Sequence, residues 1–280
     1  MTPLQLVRNG VRRRVDLVPM TPLEQLRAGR LVRRVAQLLV GLSLFGVTMA
    51  CMLRAGLGLE PWGVFTYGLT VHLPLSYGQM VVASSFVVLL LWIPLRQWPG
   101  LGTVLNAVVV GLATDVMLGV LPPVDGLGAR IPLMVVGIVG NGFAGALYIG
   151  SQLGPGPRDG LMTGLSRRTG RSIRLVRTAI EVTVVVFGWL LGGVLGIGTV
   201  LYALVIGPVI QLFLPLLTVR VDPPVRAQAG SLAPGESRES GSERHDQTAA
   251  ASAPRSSTSE APRAHRSAGP GAPECEATTW

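Results

Sequence analysis

The sequence predicts an all-α membrane protein: six transmembrane helices forming two inverted three-helix repeats, with a disordered C-terminal tail. Three observations carry this. The chain is 49% hydrophobic and only 14% charged, where an ordinary soluble domain has about 25% charged residues. Residues 34–121 reappear, 96 positions on, as residues 130–217. Each copy holds three apolar runs, and an odd number of crossings turns the second copy upside down in a bilayer.

The repeat is ungapped. Arg34, Gly41, Gly46, Ala50, Leu57, Gly58 and Pro61 align with Arg130, Gly137, Gly142, Ala146, Leu153, Gly154 and Pro157. Gly102 to Leu105, Ala107 and Gly111 align with Gly198 to Leu201, Ala203 and Gly207.

A helix needs about 20 mostly apolar residues to cross the hydrocarbon core. Val35 to Leu53, Tyr77 to Leu95 and Leu101 to Leu121 supply three such runs, within a first repeat at 31–122. Ile131 to Leu153 opens the second repeat, 128–220. Val182 to Val219 carries no charge, and as one helix it would be about 57 Å long, too long for one crossing. Gly192, Gly193 and Gly196 break it, which gives spans at about 173–192 and 197–218.

Arginine placement sets the orientation. Residues 1–34 hold eight arginines against Asp16 and Glu24, and the 151–178 loop holds six against Asp159. The positive-inside rule puts both segments, Arg96 and the tail in the cytoplasm, with both termini inside. The basic N-terminal segment, 1–30, either lies on anionic inner-leaflet lipids through Leu4, Leu6, Val7, Val11 and Val15, or only sets orientation. Residues 223–280 are rich in Ser, Ala, Pro, Gly, Glu and Arg, the composition of a disordered cytoplasmic tail.

Several function classes drop out. A pI near 11 can signal nucleic acid, but these arginines flank apolar runs, so no nucleic-acid partner is expected. Cys51 lies in an apolar run and Cys275 in the tail, so no disulfide forms. Cys51 reads as a small packing residue. No cleavable signal peptide is visible. No metal constellation, cofactor motif or nucleophile–base pair stands out, so the chain reads as neither metalloprotein nor enzyme.

Small residues recur where helices should approach: Gly41 and Gly46 in span one, Gly137, Gly140, Gly142 and Gly145 in span four. Spans one and four should therefore cross near the pseudo-two-fold axis. Thr103 and Thr199 open equivalent spans and read as N-terminal caps or helix-packing hydroxyls. His72 reads as an interfacial polar residue. Trp62, Trp92, Trp98 and Trp189, with Tyr67 and Tyr77, read as an interfacial aromatic belt.

The candidate substrate-binding residues are Arg158, Asp159, Asp115, Glu181, Arg177 and Glu60. Pro157 can open a helix, with Arg158 following and Asp159 in its first turn, where the dipole favours an acid. The matching stretch, 55–63, holds Glu60 beside Pro61. Broken elements of this kind mark binding sites in transporters. Arg177 and Glu181 share a helix face at i, i+4. Asp115 lies within span three. An ionisable group there costs about 2.5–3.5 kcal/mol and is a functional candidate. Asp115 and Glu181 serve equally well in an internal salt bridge or at the interface. Arg158 and Arg177 are possible partners for Asp159 or Glu181.

Gly154-Pro-Gly-Pro-Arg-Asp-Gly-Leu-Met162, Arg168-Thr-Gly170, Arg177, Glu181, Gly196-Ile-Gly-Thr199 and Gly207-Pro208 resemble the YczE-like (YczE/YitT-type) integral membrane proteins of bacteria. The resemblance covers about residues 30–220. It implies a multi-pass protein of the bacterial inner membrane and carries over no catalytic or substrate residue. Two readings stay open: a small-solute transporter, and a membrane accessory or scaffold protein for a cytoplasmic or membrane partner. A polar, water-accessible cavity between the repeats would favour the first.

Overall fold

The computed structural model describes residues 20–219 and 221. The N-terminal amphipathic stretch and the 223–280 tail lie outside these residues. Among the described residues there are ten α-helices and no strand. They are α1 (Pro22–Arg27), α2 (Leu31–Ala55), α3 (Pro61–His72), α4 (Tyr77–Leu90), α5 (Trp92–Leu95), α6 (Leu101–Val120), α7 (Leu127–Gly150), α8 (Pro157–Thr169), α9 (Ile173–Leu190) and α10 (Ile197–Leu217).

Helix starts repeat with the sequence. The pairs α2 and α7, α3 and α8, α4 and α9, and α6 and α10 each begin 96 residues apart. Pro61 and Pro157 open α3 and α8, where a missing N–H removes no helical bond. From sequence, Pro157 can open a helix and each copy carries a broken element after its first span; both segments form short helices. Both carry buried residues and belong to the packed interior.

Five helices are long and apolar enough to cross a membrane: Leu31–Ala55, Tyr77–Leu95, Leu101–Val120, Leu127–Gly150 and Ile197–Leu217. Helix α9 fills the place expected for a fifth of six spans. Arg174, Arg177 and Glu181 in its first half leave it outside that apolar set. On α6, Val104, Val108, Leu112, Val116 and Val120 form an exposed stripe. Such a stripe would be a liability in water and is the solvent-facing surface in lipid.

Two arginines lock the copies together. Arg34 is wholly buried. Its Nε donates to the Ser151 carbonyl at 2.8 Å and its Nη2 to the Gln152 carbonyl at 2.6 Å. Arg130, 96 residues on, donates from Nε to the Ala55 carbonyl and from Nη2 to the Gly56 carbonyl at 2.8 Å. Donors and acceptors are both equivalent positions. Helices α2 and α7 therefore lie antiparallel, each arginine satisfying the free C-terminal carbonyls of the other helix. Between the clasps, Gly41 lies on the Ala144–Tyr148 turn of α7 and Gly137 on Thr48 and Met52 of α2. The expectation that these two helices pair through small residues is met.

A second pair of links follows the same rule. The Gly102 N–H donates to the Leu153 carbonyl and the Gly198 N–H to the Leu57 carbonyl, both at 2.8 Å. Helix α6 packs on α2, and α10 on α7.

The halves then diverge. Helix α4 packs on α6, with Gly111 against Gly78 and Val82. Helix α9 packs on α3 instead, with Gly188 against Val64 and Phe65. A Cβ added at Gly207, the counterpart of Gly111, would meet nothing within 4 Å among the described residues. Gly188 is the counterpart of Trp92, whose ring fills the space over Gly160 of α8. One end thus closes backbone against backbone, the other on a large side chain.

Candidate solute site between two short helices

Helices α3 and α8 bring their first turns together. Arg158, second residue of α8, stacks over the Trp62 ring at 5.1 Å from the centroid. Trp62 is the second residue of α3, so equivalent positions of the two copies meet. Helix N-termini carry partial positive charge and unpaired N–H groups, and neither helix receives a side-chain cap.

Glu60, the N-cap of α3, is only 3% exposed. Arg158 Nη1 lies 4.0 Å from its Oε1. That separation makes an ion pair but exceeds hydrogen-bond range. Both Glu60 carboxylate oxygens, the Trp62 indole N–H and the Tyr77 hydroxyl are buried without a hydrogen-bond partner among the described residues. Tyr77 and Tyr202 are near enough to feel the charges of both Glu60 and Arg158. Buried polar groups are almost always paired, so four unpaired ones in one region set it apart from its surroundings.

Neighbouring polar groups are satisfied. The Tyr148 hydroxyl donates to Asp159 Oδ2 at 2.6 Å. Asn141 donates to the Thr48 hydroxyl and accepts from the Tyr202 hydroxyl, both at 3.0 Å. These bonds tie α2, α7, α8 and α10 into one polar layer, as lipid-embedded side chains require.

The six sequence candidates divide. Glu60 and Arg158 pair across the copies, and Asp159 sits beside them on Tyr148. Arg158 is not the partner of Asp159 or Glu181, because its position on α8 points it at the other short helix. Arg177 and Glu181 bond to each other at 2.8 Å and are partly exposed, the local ion pair that their spacing implies. Asp115 stands apart. It accepts from the Ser76 hydroxyl and, at 2.7 Å, from the Gly78 N–H. It caps the first turn of α4 from a neighbouring helix.

The aromatic belt holds only in part. Trp98 is 83% and Trp189 59% exposed, but Trp62, Trp92 and Tyr77 are buried. The Trp92 indole N–H donates to the Pro157 carbonyl at 3.0 Å. Aligning Trp62 with Arg158 through the repeat was the available signal, since equivalent residues can meet at a two-fold axis. His72 is exposed and contacts the Leu191 carbonyl at 3.2 Å. Thr103 accepts from the Gly100 N–H and donates to the Pro155 carbonyl at 2.7 Å, whereas the Thr199 hydroxyl has no partner among the described residues.

A groove of about 740 Å³ runs between α3 and α4 on one side and α8 and α9 on the other. Equivalent residues line it: Phe65 with Leu161, Leu69 with Leu165, Met80 with Val176, Val87 with Thr183. Trp62 forms part of its wall. The cavity between the copies is therefore chiefly apolar, not the polar one that a carrier of polar solutes leads one to expect.

These features define a multi-helix integral membrane protein with a charged, underbonded cluster in its interior. Residues 32–215 match the family described as "Family of unknown function (DUF6198)", and the chain belongs to that family. An "Uncharacterized protein" of Haemophilus influenzae is 40% identical over 185 residues, covering 66% of this chain and 85% of the relative. The "Uncharacterized membrane protein YczE" of Bacillus subtilis is 33% identical over 172 residues, 61% of this chain and 80% of that one. "Uncharacterized protein YyaS" of the same organism is 24% identical over 182 residues, 64% of this chain and 90% of that one. The resemblance read from the Gly154–Met162 stretch is thereby borne out. No solved structure matches.

Proposed function

We propose that the protein is a carrier of a small solute, built as an inverted repeat of three spans plus three, and not an enzyme. In this reading α9 is the fifth span and α3 and α8 are re-entrant half-helices meeting at the midplane. The protein sits in the bacterial inner membrane with both ends in the cytoplasm, and Arg167, Arg168, Arg171 and Arg174, from the end of α8 to the start of α9, meet anionic lipid headgroups.

The observation that carries this reading is the Glu60–Arg158 ion pair between the opposed half-helix N-termini, with the carboxylate oxygens lacking hydrogen bonds among the described residues. Half-helices with opposed termini form the solute sites of inverted-repeat carriers. The unequal packing of α4 and α9 supports alternating access. One copy holds its α4 on α6, the other holds α9 away from α10, and exchanging these arrangements would expose the site to the opposite side.

The test is solute flux into vesicles of purified protein. Glu60→Gln and Arg158→Gln should each abolish it, while Asp115→Asn and Glu181→Gln should retain most of it. Flux indifferent to Glu60 and Arg158 removes this site from the mechanism.

The apolar groove favours a second reading, an accessory protein that seats an apolar segment of a membrane partner. Stoichiometric co-purification of such a partner, with no flux of any solute, would select it.

A further inference from the structure

Resting on the carrier reading, we propose that the Glu60–Arg158 cluster and the groove beside Trp62 form one site for a small zwitterion with an aliphatic substituent. In chemical terms, the solute carries an ammonium and a carboxylate on one carbon, with a branched hydrocarbon arm.

The charges argue for the zwitterionic head. Glu60 and Arg158 stand 4.0 Å apart, too far to satisfy each other and too close to be addressed separately. A lone cation that reaches Glu60 meets the like charge of Arg158. A lone anion at Arg158 meets Glu60. A molecule with both signs close together meets opposite charge at each end, and charge-assisted hydrogen bonds form at both.

The donors argue for its carboxylate. The Trp62 indole N–H and the Tyr77 hydroxyl are buried and unpaired, and no hydrogen bond of the Arg158 guanidinium appears among the described residues beyond its ion pair. The first turns of α3 and α8 add backbone N–H groups and the positive ends of two helix dipoles. Among the described residues of the cluster, the Glu60 carboxylate is the unpaired group that accepts without donating, which suits three ammonium protons.

The groove argues for the hydrocarbon arm. Trp62 belongs to both places: Arg158 stacks on its ring, and the ring lines the groove. A volume of about 740 Å³ falls within the range of about 300–1,000 Å³ usual for small-molecule pockets. Phe65, Leu69, Met80 and Val176 offer no polar side chain to a ligand there.

The experiment uses the full chain in phosphatidylglycerol nanodiscs, a lipid without an ammonium group, with radiolabelled leucine as the probe. Isoamylamine and 4-methylpentanoate carry the same hydrocarbon arm with only the positive or only the negative group. Leucine should bind, and each analogue should compete about tenfold or more weakly, the loss of one charged contact. Glu60→Gln should bring leucine down to the affinity of 4-methylpentanoate, and Arg158→Gln to that of isoamylamine. Trp62→Phe, which keeps an aromatic ring and deletes the indole N–H, should weaken leucine and 4-methylpentanoate while leaving isoamylamine unchanged. Absence of leucine binding to the folded wild-type chain overturns the proposal, as does equal competition by the two analogues and leucine. Glu60-dependent flux of some other solute without leucine binding overturns the zwitterion and leaves the carrier standing. Glu60-dependent leucine binding with no flux of any solute does the reverse.

Discussion

Replacing Arg34 by methionine should destabilise the protein far more than the same change at Arg130, although the two residues are repeat equivalents. Arg34 is fully buried and donates to three carbonyls, those of Ser151, Gln152 and Gln25. Arg130 donates to two, and its outer nitrogen is exposed. Hydrogen bonds from charged donors are worth about 1.5–3 kcal/mol each. Methionine refills much of the volume and removes a buried charge, which offsets part of the loss. The net cost is about 3–5 kcal/mol at Arg34 and about 1–2 kcal/mol at Arg130, which makes one bond fewer and whose Gly56 acceptor is exposed to solvent once freed. Cys51, 6% exposed in α2, reports this directly. In a Cys275→Ser background only Cys51 can react with a thiol reagent, and only after the helix pair opens. At tenfold per 1.4 kcal/mol, labelling should accelerate by about 100- to 3,000-fold in Arg34→Met and by about 5- to 30-fold in Arg130→Met. The two sites share no partner, so the double variant should be additive within about 0.5 kcal/mol. Equal acceleration in both single variants, or none in Arg34→Met, would refute the clasp as a determinant of stability.

Gly111→Ala should cost about 1–3 kcal/mol, because the new methyl meets the Gly78 carbonyl and Val82. Gly207→Ala, facing open space, should stay within about 0.5 kcal/mol. Matching shifts in the detergent-denaturation midpoints of these two would contradict the unequal packing of α4 and α9. Asp115→Ala should lower stability by about 1–2 kcal/mol through loss of its bonds to Ser76 and the Gly78 N–H at the start of α4, and leave leucine binding intact, as equilibrium binding will show. Trp92→Ala should cost about 3–5 kcal/mol in the same denaturation assay, since it empties the space over Gly160 and strips the Pro157 carbonyl of its donor.

The helices that cross the apolar layer were legible from length and hydropathy alone, and the register of the copies from residues such as Arg34 and Arg130. The pairing of α2 with α7 followed from small residues on matching helices. The short helices were less visible. Pro61 and Pro157 mark their starts, but α8 carries Arg158, Arg167 and Arg168, so its polarity conceals that it packs into the interior. Partner choice was beyond reach wherever it crosses between distant segments. Glu60 meets Arg158 from another helix, and Asp115 caps a helix 37 residues before it. Local spacing succeeded only for Arg177 and Glu181, four residues apart on one turn. Trp62 and Tyr77 were misplaced because an aromatic near the end of an apolar run has the same sequence signature whether it faces headgroups or the interior.

The carbonyls that receive Arg34 lie 117 and 118 residues further along the chain. A ribosome adding about 5–20 residues per second reaches them some 6–24 s after Arg34 is made. Throughout that interval the nascent first half holds a guanidinium with no protein acceptor for two of its bonds. It must borrow water, a lipid phosphate or the insertion machinery until α7 arrives. Translation halted between Val120 and Leu127 would therefore leave a fragment marked for disposal, and the two halves expressed as separate chains should accumulate only together.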